Sequence, residues 1–172
     1  MLKGLLKCKV LNSKEVRIVV ELVKQQWGAE LSDIHDSCGF LEGSDGDIFM
    51  ISRDIEKLDL ENLRVDSLGL YFGQLRNDEL RLSIEGSQMV GKTATRNIVE
   101  IDDAEFKDWI RGNDLEKSPG DCSGNKGTAA PLSTLASGYV IIRHGSDFIG
   151  CGRRKEGKIL NFVPKARRVA HA

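Results

Sequence analysis

Val16, Val19, Val20, Val23 and Trp27 recur at a spacing that lays one apolar stripe along a helix. Asn12 and Glu15 stand three apart at its start, the pairing of a capping box, and Gly28 marks its end. Beyond it the apolar runs shorten and turn strand-like. Residues 38–42 and 47–51 flank Gly43-Ser44-Asp45-Gly46, which predicts a hairpin, and 54–63 reads as a short helix. A second hairpin follows in 68–82, turning at Arg76-Asn77-Asp78. Ser83 caps a helix that Gly91 ends, 97–101 reads as a strand, and Asp102 or Asp103 caps a helix carrying Phe106, Trp109 and Ile110 up to Gly112. Residues 116–137, rich in Gly, Ser, Thr, Ala and Pro without periodicity, predict a long exposed loop. The chain closes with apolar runs at 139–142, 148–152 and 159–163, separated by Gly145-Ser146-Asp147 and Glu156-Gly157. Three short strands with basic turns predict a small barrel.

Composition changes this picture at one point. The net charge of −1 hides a polarised chain. Residues 139–172 hold eight Lys or Arg against Asp147 and Glu156, a net of +6, which leaves −7 for the rest. Such asymmetry points to an anionic partner for the closing segment. With 40% hydrophobic and 30% charged residues, the chain reads as soluble and globular. No apolar run approaches the ~20 residues a transmembrane helix needs, and the lysines within Met1–Lys7 break any signal-peptide core. Cys8, Cys38, Cys122 and Cys151 form no C-x-x-C pair and read as reduced cytosolic thiols, while His35, His144 and His171 are dispersed. Neither a metal site nor a cofactor is indicated.

Residues 86–93, GSQMVGKT, satisfy the P-loop expression G-x-x-x-x-G-K-[ST]. A true P-loop follows a buried parallel strand and opens a helix at its lysine, so that backbone amides and the lysine hold phosphates. The preceding Glu79-Leu80-Arg81-Leu82 alternates like an antiparallel strand, and 93–99 carries no helical stripe. A chance match is the better reading, with an NTP-binding protein as the alternative. Asp45 and Asp47 lack the rest of a calcium loop. Cys151, between two glycines, is either an activated thiol or a small residue packed in a barrel strand; the second is favoured.

Several blocks, in order, carry a family resemblance. Leu68-Gly69-Leu70-Tyr71-Phe72-Gly73-Gln74-Leu75 resembles a G-L-x-L-G-x-L strand, and Arg81-Leu82-Ser83-Ile84-Glu85-Gly86-Ser87-Gln88 the strand-to-helix step after it. Phe106-Lys107-Asp108-Trp109-Ile110-Arg111-Gly112 matches an aromatic…L-R-G helix end. Residues 138–168 resemble a closing G-[WY]-V-L-V…G…L-G-x-G…G-x-[IL]-K-N-x-x-P-K-x-x-R signature. Over roughly 60–172 the chain thus resembles the C-terminal PUA-like region of the Sun/Fmu-type RNA cytosine methyltransferases, and in particular their small stand-alone relatives, mostly archaeal, linked to ribosome biogenesis. The resemblance implies an α+β fold, with an N-terminal α+β unit over 1–62 and a PUA-like β pseudo-barrel over 63–172. It also implies binding of structured ribosomal or transfer RNA, mostly through backbone and shape. No S-adenosylmethionine loop is visible and no cysteine follows Pro or Thr, so a non-catalytic protein is expected. Arg143, His144, Arg153, Arg154, Lys155, Lys158, Lys165, Arg167 and Arg168 are the expected RNA contacts. A separate RNA methyltransferase or a pre-ribosomal particle is a possible docking partner, and no membrane is involved.

Overall fold

A computed structural model describes residues 8–31, 37–53, 69–116 and 138–169. The helix expected over 54–63 and nearly all of the loop expected over 116–137 lie outside them. Ten strands form two five-stranded sheets. In the first, β1 (Lys9–Val10), β2 (Cys38–Glu42), β3 (Asp47–Ser52), β4 (Leu70–Arg76) and β5 (Glu79–Leu82) run as an antiparallel meander in chain order. The second holds β6 (Ile98–Glu100), β7 (Leu115–Glu116), β8 (Gly138–His144), β9 (Asp147–Lys155) and β10 (Lys158–Asn161) in the order β6-β8-β9-β10-β7. Only β6 and β8 pair in parallel there. With the helices, these sheets make the α+β class and the PUA-like pseudo-barrel that the resemblance implies. The strands on either side of the 62/63 division, β3 and β4, are hydrogen-bonded neighbours.

Helix α1 (Ser13–Trp27) carries the expected capping box: Asn12 Oδ1 accepts the amides of Lys14 and Glu15, and Glu15 accepts the amide of Asn12. Its stripe buries Val16, Val19, Val23 and Trp27 in one core with Phe40, Ile48, Phe72 and Leu80 of the first sheet. β5 is that sheet's edge, and Gln26 covers it. The Gln26 side chain donates to the Leu80 carbonyl at 3.1 Å and accepts the Leu80 amide at 2.8 Å. This is one way of blunting an exposed strand edge.

Helix α2 (Ile84–Gly91) begins at Ser83, whose Oγ accepts the Gly86 amide at 2.8 Å, and it lies between the sheets. Gly86 backs directly onto the Phe72 carbonyl of β4, and Gly91 onto the Phe148 ring of β9. The nucleotide-binding alternative for residues 86–93 is overturned by this geometry. The segment is helix where a P-loop must be open loop, and the amides of Gly86 and Ser87 are spent on Ser83. Lys92 follows the helix instead of opening one, and the preceding β5 pairs antiparallel with β4.

Helix α3 (Asp103–Arg111) has a second capping box, formed by Asp102 and Glu105, and ends at Gly112 with φ +92°. It buries Trp109 against the outer face of the second sheet, together with Val99, Val140, Ile142 and Ile159. On β8 and β9 the period of two divides the side chains between two cores. Val140 and Ile142 meet Trp109, whereas Ile141 and Cys151 join the core shared with the first sheet.

Candidate nucleic-acid interface

Strand register decides which of the expected cations can act together. Tyr139 of β8 stands opposite Arg153, and Gly138 opposite Arg154, so Arg153, Arg154, Lys155 and Lys158 gather at one end of the β8–β9–β10 ladder. Arg143 and His144 sit at the other end, near the β8–β9 turn. The run of β8 from Tyr139 to Arg143 separates the two groups by about 13 Å. Lys165 and Arg167 lie on a 3₁₀ turn that closes the fold, with Arg168 just after it.

Most of these cations have partners within the protein. Arg143 forms an ion pair with Glu100, its register neighbour on β6. The His144 ring stacks on Phe106 with centroids 4.4 Å apart, and its Nε2 is 2.8 Å from Asp103 Oδ1. Arg153 reaches Glu79 of β5 at 3.0 Å while its guanidinium covers Tyr139 at 5.2 Å. That pair links the two sheets. Lys158 meets Glu116 at 3.2 Å, and Arg167 meets Glu85 of α2 at 2.7 Å. Arg168 packs over Gly112 and donates through Nε to the Val163 carbonyl at 3.0 Å. Arg154 lines the strand end beside them and is itself engaged. Lys155 and Lys165 are exposed, with no carboxylate partner among the described residues.

Arg81, Tyr71, Tyr139 and Phe162 escape a search for runs of charge, because three different strands and a connecting segment bring them together. Arg81, the outward residue between Leu80 and Leu82, lies over the Phe162 ring at 5.1 Å and donates to Gln74 Oε1 at 2.9 Å. Phe162 in turn lies 6.1 Å from Tyr139. The Tyr71 hydroxyl donates to Asp47 Oδ1 at 3.1 Å. Burial raises its pKa above the ordinary value, opposed by a hydrogen bond from Arg81, so it stays a neutral donor at neutral pH. The alternation Leu80-Arg81-Leu82 is the one signal in the sequence that could have marked Arg81 as outward-facing.

The two readings of Cys151 separate cleanly. Its thiol is buried, and desolvation pushes its pKa up to about 12. Gly152 admits Trp109, since a Cβ there would stand 2.9 Å from the indole and 2.4 Å from Ile159, and Gly150 takes a φ of +143° that side chains rarely adopt. Cys151 is packing, and its neighbours are glycine for backbone conformation at 150 and for space at 152. Native protein alkylated with iodoacetamide at pH 8 and then digested is therefore expected to show the Cys151 peptide unmodified, with full modification only after denaturation. Because the folded pKa is raised from 9 to about 12, this thiol's contribution to stability is complete below pH 9 and is lost as pH climbs towards 12.

No cluster of three or more metal-ligating side chains occurs among the described residues, and none of their helices is long and apolar enough to cross a membrane. Residues 96–169 match the family model of the methyltransferase RsmF PUA domain. Over 149 residues, 83% of this chain, the protein is 24% identical to ribosomal RNA small subunit methyltransferase F of Vibrio cholerae serotype O1, with the same figures for strains M66-2 and ATCC 39315 / El Tor Inaba N16961. These relatives are bacterial, whereas the resemblance pointed mostly to archaea. An alignment of that length extends well outside residues 96–169 and into the first sheet. The chain spans 28% of the length of those relatives. The second sheet with α3, whose closing strands carry the signature, is a PUA-like region of the Sun/Fmu type.

Proposed function

We propose that this protein binds structured RNA, ribosomal or transfer RNA, through its second sheet, and that it does so without catalysing a reaction. The observation that carries the reading is the match of residues 96–169 to a PUA domain of a ribosomal RNA methyltransferase family. Two exposed cations support it: Lys155 at the β9–β10 turn and Lys165 on the 3₁₀ turn are open to phosphate. Arg153, Lys158 and Arg167 hold carboxylates that a phosphate can replace, and Arg154 follows Arg153 on β9, opposite Gly138. Arg143 and His144, at the far end, contribute a second and separate contact. In this reading the work is done in ribosome biogenesis or RNA modification. The first sheet and α1 are the part left to engage a separate methyltransferase or a pre-ribosomal particle.

Affinity for a folded RNA is expected to fall steeply with salt, because each neutralised phosphate releases counterions. Changing Lys155 and Lys165 together to Gln is expected to weaken binding and to flatten the slope of log K against log salt by roughly one unit for each phosphate no longer neutralised. The far-UV spectrum should be unchanged, since neither side chain packs in a core. Filter binding at several salt concentrations measures both quantities. An unchanged slope would remove these two lysines from the interface.

A further inference from the structure

A groove of about 480 Å³ runs between the first sheet and the closing segment, in the part of the molecule where the sheets meet. Phe49 of β3, Tyr71 of β4 and Phe162 beyond β10 line it, each only partly covered by protein. Arg81 and Arg167 bring two positive charges to the same walls, against the single carboxylate of Glu85. The volume lies within the ~300–1,000 Å³ typical of sites for small molecules.

We infer that this groove takes one unstacked nucleotide of a bound RNA, its base against the aromatic rings and its phosphate on Arg81 and Arg167. The proposal rests on the RNA-binding reading above and adds a single-stranded element to it. Phe49 and Tyr71 pack on one another with ring centroids 5.4 Å apart, Phe162 lies under Arg81, and all three, from three separate segments, face the one cavity. An aromatic face that core does not cover is a platform for a base, since every base has a π-face. Arg81 already holds the arrangement such a site needs. Its guanidinium lies over Phe162 and donates to Gln74 and to the Tyr71 hydroxyl, which leaves further N–H groups of its five. The Arg167–Glu85 pair spans the groove from the closing 3₁₀ turn to α2. An incoming phosphate competes for Arg167 and frees Glu85 to accept from a base edge. A peptide would need a different wall: the lining offers cationic guanidinium planes beside aromatic faces, the pair of groups that recognises a nucleotide.

The test uses the full chain and a short single-stranded RNA containing 4-thiouridine, alongside the same sequence annealed into a duplex. Photocrosslinks are expected in the peptides holding Tyr71 and Phe162, from the single strand only. Tyr71→Leu and Phe162→Leu each keep an apolar side chain but remove the π-face, and each is expected to weaken single-strand binding about 5- to 100-fold. Ala166→Phe fills the groove from an exposed position and should do the same without touching a core. Wild-type affinity in all three variants, with Lys155/Lys165 changes still weakening binding, would overturn the groove and leave the RNA-binding reading standing. Failure of the wild-type chain to bind either RNA would overturn both. A protein partner that shields the groove in the purified complex would also overturn the nucleotide assignment.

Discussion

Trp109→Ala is expected to lower the unfolding free energy by about 3–5 kcal/mol, the range for removing a large buried aromatic. Trp109 is fully buried and is the piece of α3 that meets the second sheet. Its indole lies over the two glycines of β9 and in one core with Val140, Ile142 and Ile159. The void left by alanine opens onto that face, and the rest of α3 offers only half-buried Phe106 to fill it. For a chain of this size the loss corresponds to a melting temperature lower by roughly 10 °C. The indole Nε1 has no hydrogen-bond partner among the described residues, so Trp109→Phe removes a buried unsatisfied donor along with some volume. Its cost should be well under half that of alanine. Trp27, in the other core, then becomes the remaining tryptophan and reports on the first sheet. β8 and β9 contribute opposite faces to both cores, so urea unfolding followed by Trp27 fluorescence and by circular dichroism should give one shared transition, shifted to lower urea. Separate transitions would mean that the two sheets unfold as independent units.

Local chemistry made much of this fold legible. The Asn12–Glu15 capping box, the turn at residues 43–46, the Ser83 start of α2 and the glycine end of α3 depend on a few neighbouring residues, and each stands where the sequence places it; of the two caps offered for α3, Asp102 is the one used. Asp45 and Gly46 take positive φ, which is why that turn contains Asp and Gly. Long-range pairing was not legible. The parallel alignment of β6 with β8, across about forty residues of chain, leaves no local mark, and it is what ties Arg143 to Glu100. The pairing of β3 with β4 is equally invisible, because the alternation of each strand is satisfied by any partner of the right face. Counting charges along the chain located the basic segment but not its carboxylates: Glu79, Glu85 and Glu100 come from other elements. For the same reason Arg81 and Phe162, about eighty residues apart, could not be read as a pair.

Gly86→Ala is expected to cost roughly 2–3 kcal/mol, while Lys92→Ala changes stability by less than about 0.5 kcal/mol. Alanine is the better helix former by about 1 kcal/mol, so propensity alone predicts the opposite sign at Gly86. Sterics decide it. A Cβ there would stand 2.2 Å from the Phe72 carbonyl oxygen, backbone that β4 cannot withdraw without losing the hydrogen bond from the Ser83 amide. At Gly91 the obstacle is the Phe148 ring, 2.4 Å from the added carbon, and a half-buried side chain can turn aside. Gly91→Ala should therefore fall between the two. Lys92 is exposed, just past the end of α2, and the Thr93 hydroxyl is within hydrogen-bond reach of the carbonyls of Glu30 and Val90. The glycines of this P-loop-like string are thus set by the distance between two sheets, and its lysine by nothing in the packing. Thermal melts of the three variants should rank Gly86→Ala lowest and Lys92→Ala level with the wild type. A phosphate-binding loop would differ in its response to nucleotide, which would raise the melting temperature of the wild type and leave that of Lys92→Ala unmoved.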